Sequence, residues 1–195
     1  MIFDPSKPPL TDSAGLLKSI PVEAGPEIWK RATRVISSGL CDLQVNGFAG
    51  VDYNDPTLMP EEFEKSLFAM LSTGVTTCLP TVITGSEDWQ IKCFHALEAG
   101  RNASKLAQEM IPGYHLEGPF LNPEEGFCGC HPTKWMRPAT WDHFERLQEA
   151  AGGRITLITV APEIKGVLDL IPKWVEKGIA VAIGHCNPDR DTLLR

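Results

Sequence analysis

Short apolar and β-branched segments alternate with longer segments of helical periodicity along most of this chain. The alternation predicts five strands, at residues 35–47, 75–84, 112–117, 154–163 and 179–186. Helices are predicted at residues 60–73, 86–108, 140–151 and 166–177, and a fifth begins with Asn187 as N-cap and Pro188 at its first position. Near-continuous apolar strands joined by helices indicate a parallel sheet that is covered on both faces.

Two architectures fit this order of elements. A doubly wound sheet would be complete at about this length, but no G-x-G-x-x-G motif follows the first strand. A (β/α)8 barrel needs about 250 residues, so the chain would hold about five of the eight βα units. Polar side chains at the carboxyl ends of the strands favour the barrel, because barrels place their chemistry on that rim. These residues are Gln44, Asn46, His115, Glu117, Glu163 and His185.

The third predicted strand carries two ionisable side chains, His115 and Glu117, and breaks at Gly118-Pro119. Residues two apart on a strand share a face, so both side chains project together near the carboxyl end. A glutamate on an interior strand is costly to bury unless its charge is compensated. A metal ion would compensate it, and so would a buried Arg or Lys.

Composition excludes several classes of function. The net charge is −7, and no basic patch of the kind that binds nucleic acid is present. No apolar run reaches the roughly 18 residues of a membrane span, so no membrane association is expected. The six cysteines are scattered and are predicted to be reduced thiols in a cytoplasmic protein.

Several segments resemble the N-acetylglucosamine-6-phosphate deacetylases, a branch of the metal-dependent amidohydrolase superfamily. The matching stretches occur in family order at predicted strand ends: residues 42–47, 74–81, 115–120, 161–163 and 184–185. The resemblance implies a TIM-like (β/α)8 barrel of the amidohydrolase type over residues 35–195, incomplete in this sequence. Residues 1–34 are an irregular lead-in, interpreted as a possible remnant of the family's N-terminal β-domain.

The resemblance also assigns roles to particular residues. Glu117 corresponds to the family's metal-binding glutamate, and His185 to the first of its two metal-binding histidines. Gly129-Cys130-His131 matches a loop motif whose histidine contacts the substrate, which makes His131 the predicted substrate-binding residue. The second metal-binding histidine and the aspartate that acts as general acid and base would lie beyond Arg195, so no catalytic residue is assigned.

The implied chemistry is hydrolysis of the acetamide of N-acetylglucosamine 6-phosphate, in amino-sugar catabolism, to glucosamine 6-phosphate and acetate. One divalent cation, with zinc preferred over iron, manganese or cobalt, would lower the pKa of a bound water. Many amidohydrolases carry His-x-His on the first strand for a second metal, whereas this chain has Gln44-Val45-Asn46. Amides are poor substitutes for imidazole at zinc, so at most one tightly bound metal is expected. The expected partners are a small sugar phosphate and, in a full-length protein, a second copy in a homodimer.

Other interpretations are open. The chain itself is expected to be a truncated, inactive form of the deacetylase. Alternatively, the substrate could be N-acetylgalactosamine 6-phosphate, or the chain could be a non-catalytic truncated relative that acts as a binding protein. His115 could serve only as a hydrogen-bonding residue of the rim, and His95 and His143 are expected to be surface or packing residues. A zinc site at Cys128-x-Cys130-His131 is disfavoured, because the cysteine spacing is shorter than the usual C-x2–4-C.

Overall fold

The computed structural model describes residues 39–195. The predicted lead-in at residues 1–34 and the first part of the predicted first strand lie outside the described residues. No helix within residues 39–195 combines the length and the apolar character needed to cross a membrane.

Seven strands and six α-helices are present in this part of the chain, with one short 3-10 helix at Thr133–Trp135. The strands are β1 (Leu40–Val45), β2 (Gly47–Phe48), β3 (Val51–Asp52), β4 (Val75–Ile83), β5 (Tyr114–Glu117), β6 (Ile155–Val160) and β7 (Ala180–Ile183). The helices are α1 (Pro60–Leu71), α2 (Glu87–Ala103), α3 (Lys105–Met110), α4 (Trp141–Ala150), α5 (Val167–Glu176) and α6 (Arg190–Leu193).

The main sheet has five strands in the order β1-β4-β5-β6-β7. The pairs β4–β5, β5–β6 and β6–β7 are parallel, and their register aligns Ile83, Glu117 and Thr159 across three strands. The strands from β4 to β7 therefore lie side by side in chain order, with their carboxyl ends at one edge. This arrangement was predicted from the alternation of strands and helices. A two-stranded antiparallel ribbon, β2–β3, follows the first strand and was not predicted, because strands of two residues leave no periodic signal.

The helices cover the sheet with apolar side chains at helical spacing. In α1, Phe63, Leu67 and Met70 are fully buried, as the periodicity of this segment predicted. At the carboxyl end of the sheet, Phe120 stacks on Trp174 of α5 with ring centroids 6.3 Å apart. The aromatic contact anchors the loop that leaves β5, and that loop leads directly from Glu117.

The two end strands of the sheet each have a sheet neighbour on one side only among the described residues. Leu43 of β1 is 57% exposed and Ile183 of β7 is 53% exposed. A strand edge without a neighbour presents free backbone donors and acceptors.

The single long helix predicted at residues 86–108 is wrong, because it is divided into α2 and α3 at Ser104. Ser104 has an extended backbone, and its hydroxyl accepts a hydrogen bond from Ala107 N, so that it caps α3. The Ser104 hydroxyl also donates to Glu64 Oε1 of α1 at 2.5 Å. The break between α2 and α3 therefore coincides with a contact to Glu64, which is 40 residues away in sequence, and the local pattern does not reveal it.

The predicted start of the fifth helix is also wrong. Asp189, and not Asn187, is the N-cap of α6, and its side chain accepts from Thr192 N at 2.8 Å. The backbone N–H of Asn187 instead donates to Glu163 Oε1 at 2.6 Å. In α5, Pro172 lies inside the helix.

Candidate metal centre

Glu117 is the last residue of β5, and its side chain is buried at the carboxyl edge of the sheet. The chain turns immediately afterwards at Gly118, whose φ of +81° is a left-handed conformation that favours glycine. A Cβ at this position would come within 2.1 Å of Thr84 Oγ1, at the end of the neighbouring strand. Gly118 is therefore required both for the turn and for the close approach of Thr84.

Two histidines lie beside this carboxylate. His185 Nε2 is 3.2 Å from Glu117 Oε1, and His131 Nε2 is 3.6 Å from the same oxygen. One ligand atom from each of the three side chains lies within 4.8 Å of the others, and this is the single group of three or more possible metal ligands found within residues 39–195. The structure thus brings together the three predicted site residues, Glu117, His131 and His185.

His185 follows β7 and has a left-handed backbone with φ of +50°. Its Nδ1 lies 3.0 Å from the carbonyl oxygen of Phe127. A carbonyl only accepts hydrogen bonds, so Nδ1 carries a proton and donates it. In neutral imidazole the lone pair is then on Nε2, which faces Glu117.

The Nδ1 atom of His131 is also hydrogen-bonded, in this case to a threonine hydroxyl. Its Nδ1 is 2.9 Å from Thr84 Oγ1, and that hydroxyl donates to the carbonyl oxygen of Glu117 at 3.4 Å. Because the Thr84 proton is used in this way, its oxygen accepts from His131 Nδ1. The Nε2 lone pair of neutral His131 therefore also faces the carboxylate.

Three electron-pair donors consequently converge on one point: two imidazole nitrogens and one carboxylate oxygen. Neutral imidazole nitrogens at these distances from a carboxylate oxygen need a positive charge between them. A proton on an imidazole would supply it, and so would a divalent cation. Hydrogen bonds that hold the second imidazole nitrogen are typical of metal-ligating histidines, so the residues fit a metal.

The charge of Glu117 is favoured by its surroundings. Burial alone would raise the pKa of Glu117, but the protonated form of His131, which donates a hydrogen bond and carries a charge, holds the pKa below its usual range, and the charged forms of His115 and His185 add to this effect. The carboxylate is therefore ionised in the buried site, as a metal ligand must be.

The second oxygen of Glu117 has a partner of its own. Oε2 accepts a hydrogen bond of 2.9 Å from Gln44 Nε2, at the end of β1. The sequence predicts Gln44 on the rim as a poor metal ligand, but it does not predict this contact. The two residues are 73 apart in sequence and stand at the ends of strands two places apart in the sheet, so only the strand order reveals their proximity.

His115 shares a strand with Glu117 but does not belong to the cluster. Its Nε2 is 2.7 Å from Thr159 Oγ1, and its Nδ1 is 3.4 Å from Thr81 Oγ1. Burial lowers the pKa of His115, although the charge of Glu117 opposes this. His115 is thus a neutral, hydrogen-bonded residue between strands, in agreement with its interpretation as a structural histidine.

The remaining candidates lie elsewhere. His95 is exposed on α2, and His143 is buried in α4 with its Nε2 3.7 Å from Glu87 Oε2, which agrees with surface and packing roles. Cys128 and Cys130 do not join the group of possible metal ligands. All six cysteines lie in the described part of the chain and are free thiols.

Parallel strands with helical connections, and a carboxylate–imidazole cluster where those strands end, define a partial α/β barrel with a candidate divalent-metal centre. No protein-family model matches the chain. The chain is 29% identical over 172 residues to an N-acetylglucosamine-6-phosphate deacetylase from Bacillus subtilis, covering 84% of this chain and 41% of that protein. It is 32% identical over 160 residues to the Caenorhabditis elegans deacetylase, covering 78% of this chain and 37% of the relative.

A solved structure gives the same result for the fold. The Mycobacterium smegmatis deacetylase, solved as a mutant in complex with N-acetyl-D-glucosamine-6-phosphate, matches with a TM-score of 0.70 and 26% identity over 80% of this chain and 38% of that one. The predicted incomplete (β/α)8-type barrel is therefore confirmed. The chain is related to the N-acetylglucosamine-6-phosphate deacetylases and spans about two fifths of the length of the curated relatives it matches.

Proposed function

We propose that this chain forms part of a metal-dependent deacetylase that hydrolyses the acetamide of N-acetylglucosamine 6-phosphate, releasing glucosamine 6-phosphate and acetate, in amino-sugar catabolism. The observation that carries the proposal is the convergence of Glu117 Oε1 with the Nε2 atoms of His131 and His185. Each Nδ1 atom has its own hydrogen-bond acceptor, so the Nε2 lone pairs of the neutral rings are available to a metal. The relatedness to deacetylases supplies the reaction and the substrate.

Glu117 and His185 would hold one divalent cation, with zinc preferred over iron, manganese or cobalt. A carboxylate with imidazole suits all four metals. When bound, the metal would polarise the acetamide carbonyl and lower the pKa of a water molecule. Gln44 is engaged with Glu117, which supports one metal and not two.

His131 is proposed to contact the substrate beside the metal. Its Nε2 is farther from Glu117 Oε1 than that of His185, at 3.6 Å against 3.2 Å. Its Nδ1 contact with Thr84 holds the ring so that Nε2 faces the centre. A role as third metal ligand is the alternative, and retention of metal by a His131→Ala variant separates the two.

Proton transfer needs a further carboxylate, because Glu117 would be occupied by the metal and by Gln44. Glu117 is the one carboxylate of the cluster within residues 39–195. We propose that the general acid and base is an aspartate outside residues 1–195, as the family resemblance implies. The chain's own residues would bind the metal and orient the substrate.

The proposed setting is a homodimeric enzyme of the cytoplasm that acts on a small sugar phosphate and binds neither nucleic acid nor membranes. Free thiols at all six cysteines support a reducing compartment. A net charge of −7 supports the absence of nucleic acid.

Metal binding tests the proposal most directly. The purified chain is dialysed against Zn²⁺, Co²⁺, Mn²⁺ or Fe²⁺, and bound metal is counted by mass spectrometry. We expect about one metal per chain, lost in Glu117→Gln and in His185→Asn. His95→Asn is the matched control, because it removes an exposed histidine far from the cluster in sequence and should change nothing. Equal metal binding by all three variants would contradict the site.

Acetate release from N-acetylglucosamine 6-phosphate tests the reaction. It is measured on this chain and on any longer product of the same reading frame, with N-acetylgalactosamine 6-phosphate as the competing substrate. We expect activity only in a product that includes the missing acid and base. A metal-loaded longer product with no activity on either sugar would favour a binding protein.

A further inference from the structure

We propose that Gln44 is a positioning residue that holds the Glu117 carboxylate so that only Oε1 is presented to the metal. The inference rests on the proposed metal function and specifies how the ligand is oriented. It assigns a role to a side chain that is itself unsuited to bind zinc.

The two oxygens of Glu117 have separate environments. Oε1 faces the two imidazoles, at 3.2 Å from His185 and 3.6 Å from His131. Oε2 accepts the 2.9 Å hydrogen bond from Gln44. With one lone pair of Oε2 engaged in a hydrogen bond, binding through both oxygens is disfavoured, and Glu117 acts as a single-oxygen ligand.

An uncharged donor suits this position. A lysine or arginine near Oε2 would neutralise the carboxylate and repel a cation. An amide N–H supplies direction without adding charge, so that the full negative charge of Glu117 remains available to the metal. Because a carboxylate only accepts, Nε2 and not the amide oxygen of Gln44 faces it.

The backbone around Gln44 is fixed from both sides. Val45 N donates to Thr81 Oγ1 at 3.1 Å, which ties the end of β1 to the next strand. Gln44 N donates to Asp42 Oδ1 at 3.1 Å. The side-chain amide of Gln44 therefore extends from a strand end that is held by hydrogen bonds, even though Gln44 itself is exposed.

Cobalt(II) binding tests the inference without requiring catalysis. The wild-type chain, Gln44→Met and Gln44→Ala are titrated with Co²⁺ against a competing chelator, and the visible absorption is recorded. Met keeps the length of the side chain and removes the donor, whereas Ala removes both. Leu43→Ala is the matched control, since the Leu43 side chain is on the same strand and is 57% exposed.

Loss of an outer hydrogen bond to a metal ligand costs roughly 10- to 100-fold in metal affinity. We expect both Gln44 variants to weaken Co²⁺ binding by this amount, and to equal extents. We also expect weaker visible absorption, because Oε2 joins the metal and raises its coordination number. Leu43→Ala should keep the wild-type affinity and spectrum.

Two results would overturn the inference alone. Wild-type affinity and spectrum in Gln44→Met would show that the donor is unimportant, and a defect confined to Gln44→Ala would assign Gln44 to packing. A wild-type chain that binds no Co²⁺ would overturn both the inference and the proposed function.

Discussion

Glu163 and Asn187 are joined by a 2.6 Å hydrogen bond from the Asn187 backbone N–H to the Glu163 carboxylate. The same oxygen accepts from Asn122 Nδ2 at 2.9 Å, and Asn122 N in turn donates to the carbonyl oxygen of His185 at 3.0 Å. One carboxylate oxygen of Glu163 therefore connects the loop after β5, which carries Asn122, to the loop after β7, which carries His185 and Asn187. These bonds support the left-handed backbone that directs the His185 ring towards Glu117.

Glu163→Ala should weaken metal binding although Glu163 is not a ligand, because His185 loses the bonds that hold its backbone. Removing one partner from such a network costs about 1–3 kcal/mol in the free energy of unfolding. Glu163→Gln keeps an acceptor oxygen and should retain most of the affinity. Metal titration and denaturant unfolding of both variants make the measurement. Wild-type metal affinity in Glu163→Ala would refute the role of Glu163 in holding His185.

Gly118→Ala should destabilise the chain and reduce metal binding. The left-handed backbone alone costs about 1–2 kcal/mol for a residue with a Cβ. The added methyl would also displace Thr84 Oγ1, which orients His131.

Gly153→Ala is the matched control, since Gly153 has a φ of +75° and a Cβ added there would meet nothing within 4 Å. Urea unfolding of the two variants separates conformational cost from steric contact. Equal losses of unfolding free energy would show that the Thr84 contact is unimportant.

Stability should fall as the pH is lowered from 7 to below 6.5, in part through His143. Burial lowers the pKa of His143, with Glu87 opposing the shift and Arg137 and Arg146 adding to it. The unfolded chain takes up a proton near pH 6.5, whereas the folded chain takes it up only at lower pH. The unfolded state thus binds more protons below pH 6.5, and acidification favours unfolding.

The contribution of His143 is measured as the difference between the unfolding curves of wild type and His143→Leu. We expect the variant to lose less stability on acidification over this range. His95→Asn, which removes an exposed histidine, should follow the wild-type curve. A His143→Leu curve parallel to the wild-type curve would contradict the prediction.

Phe144→Ala should cost about 3–5 kcal/mol in the free energy of unfolding, the usual range for a fully buried aromatic residue. Phe144 is 1% exposed and packs against Trp174 with ring centroids 5.6 Å apart. Val175→Ala on α5 is the control, because Val175 is 58% exposed and should lose well under this amount. Chemical denaturation of both variants provides the test, and similar losses would indicate that the aromatic cluster contributes little.

Much of the order of elements could be predicted from local patterns. Apolar segments that alternate with segments of helical periodicity predicted β4 to β7 and the helical regions between them. The polar residues at the ends of these strands predicted the position of the rim. The predicted break at Gly118 is present because the backbone there needs a left-handed conformation. Errors occurred where a distant partner decided a local structure, as at Ser104, which contacts Glu64, and at Asn187, which contacts Glu163.

The residue pattern along the chain is enough to predict that a glutamate and a histidine lie near the carboxyl ends of strands in one parallel sheet, because the alternation of residues and the sequence of strands and helices can be read directly from the chain. The three-dimensional structure is needed to show that His131 reaches the Glu117 carboxylate from a loop, and that Gln44 donates to the second oxygen of Glu117 from the edge strand. Loop paths and side-chain hydrogen bonds depend on partners that are tens of residues away. The energies of these loop conformations and hydrogen bonds depend on packing in the folded protein, and a local sequence pattern does not contain that information.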